Sequence, residues 1–528
     1  MVPPCRGCWQ GCNNGSRQIW HLPAHVDPHH SCLNSPHPRL CVGSCIHKRS
    51  LSLNADSGLD NSGVMWQVSA RSLCRASSRA WQRQLPWPGP APAAPRSRGP
   101  AWSPGTAPAQ GLSSMAPSIH LSPAARSLFD QPLAIAVQGL GPRQQVTLRT
   151  SLRDETRELF QASARYQAGD DGELDLARCP ALPGGSFSGL EPMGLLWALQ
   201  PEKPFWRLVK RDVQSPFLLQ LEVFEGHGER HGRLLAQAQH ERAFLRDGVR
   251  RIPVREGRIR ATLFLPPGED TFPGIIDIHG LGGGLFESRA SLLANHGFAT
   301  LALAYYQFED LPQEPKTLHL EYFEEAVNYM LQHPQVKGPG VGLLGFSKGA
   351  EVSLAMAAFL KNILAVASLN APVAVTAIPL SYKNKIIPTV ALHEHKAKAT
   401  NSKFLDYSDG MDDPFQAPGD QSRIPLEKGE AQLLFMVGQD DCVVKSEYHA
   451  TEVCKLLQAQ GKKNFQILSY PGTGHCIDPP FFPLYHIGSH PVFHKRAALG
   501  GELRAYSKAQ VHAWSQIQAF FKKYLIVN

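Results

Sequence analysis

Val341-Gly342-Leu343-Leu344-Gly345-Phe346-Ser347-Lys348-Gly349 is the stretch on which the reading of this chain turns. Residues 341 to 346 are apolar or glycine and read as a buried strand, while Lys348 to Leu360 is built of strong helix formers. Between them stands Gly345-x-Ser347-x-Gly349, a spacing suited to a tight, strained strand-to-helix turn. Such a turn lifts the serine hydroxyl above the end of a sheet, with a helix N-terminus behind it. A lone pattern of this kind arises often by chance, so the strand before it and the helix after it give it weight.

Outward from this turn, strands and helices alternate from about Gly248 onward. Arg258 to Leu265, Phe272 to His279, Phe298 to Tyr305, Ile363 to Leu369, Ala431 to Val437 and Phe465 to Tyr470 read as strands. Glu287 to His296, Tyr322 to His333 and Gln510 to Tyr524 read as helices, the second with an apolar face at Phe323, Ala326, Val327 and Met330. This alternation predicts an α/β fold, a mostly parallel sheet covered on both faces, with ligands beyond the carboxyl ends of the strands. The basic stretch Arg246 to Arg260 reads as a solvated linker entering this domain, with contact to an anionic ligand as the alternative.

Upstream the pattern differs. Leu133 to Gln138, Val146 to Leu152, Leu159 to Tyr166, Phe217 to Phe224 and Arg233 to Glu241 are short strand-like runs separated by Gly- and Pro-containing turns. They predict a small all-β, Ig-like sandwich over residues 116 to 245, followed by the catalytic domain over 246 to 528. Residues 1 to 115 are Pro, Ser, Arg, His and Trp-rich without sustained periodicity, and read as a disordered or targeting extension. Within them, Met65 to Ser114 has six Arg and no acidic residue, as in a mitochondrial transit peptide. The equal alternative is sequence lying upstream of a later start at Met115.

The formal net charge of +8 is local. Residues 1 to 115 hold eleven Lys and Arg against three Asp, and the remaining 413 residues carry 42 basic and 42 acidic groups. The folded part is therefore not basic, which argues against a nucleic-acid partner. Six of the eleven cysteines fall in the first 45 residues, and the sparse remainder does not resemble a disulfide framework. Asn362 to Tyr382, the longest uncharged run, contains Asn370, Pro372 and Pro379 and reads as strand and loop rather than a membrane span. No dinucleotide fingerprint, Walker loop or His-Glu-x-x-His pattern appears, so neither cofactor nor metal is expected. Oligomeric state is not legible.

A serine hydroxyl is a poor nucleophile unless a general base, itself held by an acid, takes its proton. The order expected after such a turn is Ser, then Asp, then His, each following a strand. The run 431 to 437 exits into Gly438-Gln439-Asp440-Asp441, and Asp441 is preferred because Asp440 sits closer to the strand end. Asp409, Asp412 and Asp413 are rival acids. The run 465 to 470 exits into Pro471-Gly472-Thr473-Gly474-His475, which makes His475 the candidate base. Charge developing on an attacked carbonyl needs preorganised donors. The backbone N–H of Lys348 is the expected first one, and Leu281 or Gly282, in His279-Gly280-Leu281-Gly282-Gly283-Gly284, the second. His279 itself reads as structural.

These segments also carry a resemblance. Gly189-Leu190-Glu191-Pro192-Met193-Gly194-Leu195, LHLEYFEEA at 318 to 326, GPGVGLLGFSKG at 338 to 349, VGQDD at 437 to 441 and YPGTGHCIDPP at 470 to 480 are similar to type I acyl-CoA thioesterases and bile acid-CoA:amino acid N-acyltransferase. The likeness runs from roughly Leu121 to Leu525 and implies an N-terminal β-sandwich, an α/β-hydrolase domain and a triad on Ser347, Asp441 and His475. It implies acyl-CoA as substrate, with hydrolysis to free fatty acid and CoA as the expected reaction. Transfer to glycine or taurine is the alternative within the family, and a catalytically silent acyl-CoA-binding protein the alternative outside it. The bile acid enzyme has cysteine at the nucleophile position, so Ser347 favours water. Ala350, where many of the thioesterases have glycine, weakens that preference. The ending Ile526-Val527-Asn528 is unlike the peroxisomal Ser-Lys-Leu type, so a cytoplasmic or mitochondrial location, set by the translation start, is expected.

Overall fold

A computed structural model describes residues 116–228, 232–400 and 403–526. The expectations for residues 1 to 115 lie outside the described residues. An eight-stranded sheet organises the C-terminal part: β1 (Arg250–Val254), β2 (Arg260–Leu265), β3 (Phe272–Ile278), β4 (Ala299–Ala304), β5 (Val336–Phe346), β6 (Ile363–Leu369), β7 (Gln432–Gly438) and β8 (Phe465–Tyr470). Their spatial order is β1-β2-β4-β3-β5-β6-β7-β8. Only β2 breaks the parallel run, pairing antiparallel with β1 and β4, while every other neighbour pair is parallel. This is the α/β-hydrolase arrangement that the alternation of elements predicts.

Five helices cover the sheet: α1 (Ser288–Ala294), α2 (Leu320–Gln332), α3 (Lys348–Phe359), α4 (Ser446–Ala459) and α5 (Leu503–Leu525). Alternation along each strand divides the apolar residues between two cores. Ile275 of β3 and Leu434 and Met436 of β7 join α1 and α5. Ile276, Ile278, Leu433, Phe435 and Val437 join α2, α3 and α4. The expected face of α2 at Phe323, Ala326, Val327 and Met330 is buried, and α3 is buried from Lys348 to Ala358 on all sides.

The regular structure in residues 118 to 243 is almost all strand. Ser118–Ser122, Ala134–Gln138 and Leu174–Asp175 make one sheet. Arg126–Leu128, Leu234–Ala243, Phe217–Glu225, Gln145–Arg153, Leu159–Gln167 and Gln200–Pro201 make a second, in that order. Val146, Leu148 and Leu152 alternate inward and pair across with Tyr166, Ala164 and Phe160. One short helix, Gly194–Trp197, interrupts the strands. Phe129, Phe217 and Phe244 pack together here, and Phe482 of the hydrolase part stands 4.4 Å from Phe129 between ring centroids. Asp130 Oδ2 accepts hydrogen bonds from His296 Nε2 at 2.6 Å and from Trp514 Nε1 of α5 at 2.8 Å. The two parts thus share one core.

The basic stretch 246 to 260 is not a solvated linker. It contains edge strand β1, and four of its six arginines are ion-paired: Arg251 with Glu287, Arg255 with Glu309, Arg258 with Glu325 and Arg260 with Asp310. An edge strand tolerates alternating charge on its open side, which hides it from a hydrophobicity reading.

Candidate active site

Ser347 follows β5 at the middle of the sheet with φ +53° and ψ −122°, a conformation a non-glycine residue holds at a cost of roughly 1–3 kcal/mol. Its N–H donates to Leu369 O at 2.9 Å, which fixes the turn against the end of β6. Both glycines of the motif are sterically required. A Cβ at Gly345 would stand 2.4 Å from Ala350 Cα, and one at Gly349 would stand 2.2 Å from Ile278 O. Each clash is with backbone, which cannot swing aside.

The other two residues arrive from the next strand exits. Asp441, beyond β7, accepts the N–H groups of Val443 at 2.9 Å and Val444 at 3.1 Å on Oδ1. Both of its oxygens lie 3.0 Å from His475 Nδ1, and His475 Nε2 lies 3.0 Å from Ser347 Oγ. Nδ1–H donating to the carboxylate leaves Nε2 as acceptor for the serine O–H. His475 N–H donates to Leu499 O at 2.7 Å, and Phe346 packs beside the imidazole at 5.2 Å. Asp441 and His475 are 8% and 6% exposed, so the relay is shielded from water along most of its length. Asp440 is exposed on the far side of the turn. The rival acids are engaged elsewhere: Asp409 with Lys398 and Lys445, Asp412 with His393 and Lys396, and Asp413 with Tyr448.

Two backbone segments flank the serine. Lys348 opens α3, and Gly280, in the loop after β3, lies against Ser347: a Cβ there would be 3.1 Å from Ser347 Cβ. The loop is tied down by Tyr305, whose hydroxyl donates to His279 O at 3.0 Å and Gly280 O at 3.2 Å. Gly282 N–H donates to Gly280 O at 2.7 Å, closing the loop on itself. Leu281 N–H has no acceptor among the described residues. His279 takes no part in the Ser347 contacts. It stacks on Phe286 at 3.9 Å, and burial, then Arg289 and Arg207, hold its ring well below the usual histidine range.

Sequence reasoning missed several supports. The Lys348 side chain is wholly buried, its ammonium donating to Glu351, to Thr376 O at 2.6 Å and to Ile378 O at 2.9 Å. Burial lowers the lysine and raises the glutamate, each opposed by the other's charge. Beyond His475, Asp478 accepts from Arg207 at 2.9 Å and from the Tyr506 hydroxyl at 2.8 Å. The N-terminal part thereby reaches the loop that bears His475. Asn370, at the end of β6, sits between the loops of Asp441 and His475. Its place at a carboxyl strand end was the available signal.

Among the described residues no cluster of three or more His, Cys, Asp or Glu is placed to hold a metal, and no helix is long and apolar enough to cross a membrane. Cys179, Cys442, Cys454 and Cys476 are free thiols.

Two family models match this chain: the acyl-CoA thioester hydrolase/BAAT N-terminal region over residues 130–256, and the BAAT/acyl-CoA thioester hydrolase C terminal over 318–527. Mouse acyl-coenzyme A thioesterase 5 is 58% identical over 411 residues, which is 78% of this chain and 97% of that one. The chain belongs to the acyl-CoA thioester hydrolase/BAAT family. Human acyl-coenzyme A thioesterase 1 is 56% identical over 78% of this chain and 97% of its own. Human acyl-coenzyme A thioesterase 2, mitochondrial, is 56% identical over 78% of this chain and 85% of its own. Within the thioester hydrolase/BAAT C-terminal region lie Ser347, Asp441 and His475, and the N-terminal region carries Arg207.

Proposed function

We propose that this chain hydrolyses fatty acyl-CoA thioesters, with Ser347 as nucleophile, His475 as general base and acid, and Asp441 as the acid that orients it. The observation that carries this reading is the unbroken path from Asp441 through His475 to Ser347, each step 3.0 Å. Ser347 Oγ attacks the thioester carbonyl as its proton passes to His475 Nε2. Asp441 holds the imidazole in the tautomer this needs and stabilises the imidazolium. The N–H groups of Lys348 and Leu281 would receive the oxyanion. The C–S bond then breaks with the electron pair on sulfur, and a thiolate of ordinary pKa near 8.5 leaves readily, taking the proton from the imidazolium so that His475 is neutral again. Water, deprotonated by His475, attacks the acyl-serine and frees the fatty acid. The names of the relatives, acyl-coenzyme A thioesterases, support the substrate class.

Acyl-CoA hydrolysis measured by release of free thiol tests the proposal. The Ser347→Ala variant should lose at least about 1,000-fold in kcat, and a wild type no faster than the variant, both at the background rate, would instead support a silent acyl-CoA-binding protein. Transfer to glycine or taurine is the second reading, and serine at 347 weighs against it. Amide product exceeding free acid in the presence of taurine would reverse that order. In keeping with this reading, we place residues 116 to 245 as a β-rich N-terminal domain and 246 to 528 as the catalytic domain. The location proposed is cytoplasm or mitochondrion, and fractionation of cells expressing the full chain checks it.

A further inference from the structure

Asn370 stands at the end of β6, wholly buried and at φ +48°. A carboxamide side chain offers two N–H donors and an oxygen with two lone pairs, and here all four are used. Nδ2 donates to Gly474 O at 3.1 Å and to His475 O at 2.7 Å. Oδ1 accepts from Gly438 N–H at 2.7 Å and from the Ser446 hydroxyl at 3.0 Å. Its own N–H donates to Met436 O at 2.9 Å. One side chain therefore fastens the loop bearing His475, the exit of β7 that leads to Asp441, and the first residue of α4.

We infer that Asn370 is a positioning residue for His475, holding the backbone at 474–475 so that the imidazole spans from Asp441 to Ser347. This rests on the roles proposed above for those three residues. The chemistry of the position is narrow. Two carbonyl oxygens converge on one end of the side chain, so that end must be a double donor. Gly438 N–H and the Ser446 hydroxyl converge on the other, so that end must be a double acceptor. An aspartate of the same shape would set an oxygen against the two carbonyls, and alanine would leave all four groups without partners. Either change frees the base loop to shift, and misplacing a reacting group by about 1 Å costs on the order of 100-fold in rate.

A second buried asparagine provides the matched comparison. Asn295 makes three side-chain hydrogen bonds, with Arg246 N–H at 2.7 Å, Phe244 O at 2.8 Å and Ser291 O at 3.0 Å, at the turn between α1 and β4. The full chain and its Asn370→Ala, Asn370→Asp, Asn295→Ala and Ser347→Ala variants are compared for thermal midpoint, kcat and KM on palmitoyl-CoA. Both asparagine-to-alanine changes should lower the midpoint. Only those at Asn370 should lower kcat, by about 100-fold, with KM within about twofold of the unchanged enzyme. Folded Asn370 variants with wild-type kcat, or an equal loss at Asn295, would overturn the inference. Asn370→Asp keeps the side-chain volume and serves if the alanine variant does not fold, and failure of both to fold also counts against a positioning role. Should Ser347→Ala keep its activity, the underlying assignment fails, which is a separate result from wild-type kcat at Asn370.

Discussion

Ser347 holds its strained backbone because the two glycines around it let neighbouring chain come close enough to brace it. Gly349 abuts the carbonyls of Ile278 and His279, and Gly345 abuts the backbone of Ala350. Gly349→Ala should therefore destabilise the protein by about 3 kcal/mol or more, read as a fall in the urea midpoint, because no side chain can yield to the added methyl. Steric demands of this sort write themselves into the sequence, which is why the turn at 345–349 was legible from the residues alone. Asn370 was not. Three of its four side-chain partners are backbone groups, and a backbone carbonyl has no letter in the sequence to betray it. The choice between Leu281 and Gly282 was open for the same reason, since it turns on where one amide points.

Strands β6 and β8 were legible to the residue because they are apolar runs bounded by turns. Charge and polarity hid other elements. Edge strand β1 carries two arginines, and α4 presents its buried stripe through His449 and Cys454 as well as Ala450, Val453 and Leu457. α5 begins at Leu503 rather than Gln510, where Glu502 caps it by accepting the N–H groups of Arg504 and Ala505. His449 has a consequence for acid stability. Burial lowers its pKa from 6.5 to about 4, with Asp413 and Asp441 pulling upward, Lys445 pushing further down, and burial dominant. The unfolded chain takes up this proton below pH 6.5 and the folded chain only near 4, so stability falls across that window and levels off beneath it. Between pH 7 and 5 the wild type should lose about 2 kcal/mol more than His449→Gln, measured by urea denaturation at each pH.

The shared core makes the strands of residues 118 to 243 and the large sheet mechanically one body. Phe482, Phe129 and Phe244 interleave across the junction, and Asp130 joins His296 and Trp514. A fragment starting at residue 246 would expose that apolar surface and leave Asp478 without Arg207. Calorimetry of the full chain should show one transition over the described residues, and the 246–528 fragment should fail to give soluble, folded protein. Fold class was legible at this scale because alternation along the chain encodes it, whereas contact between distant segments has no periodic signature. The fastening of Asp478 from both sides also ties together stretches far apart in the chain. Arg207 lies 271 positions before Asp478 and Tyr506 lies 28 positions after it. Losing either clasp loosens the same loop, so a change in a distant stretch of polypeptide reaches the neighbourhood of the imidazole.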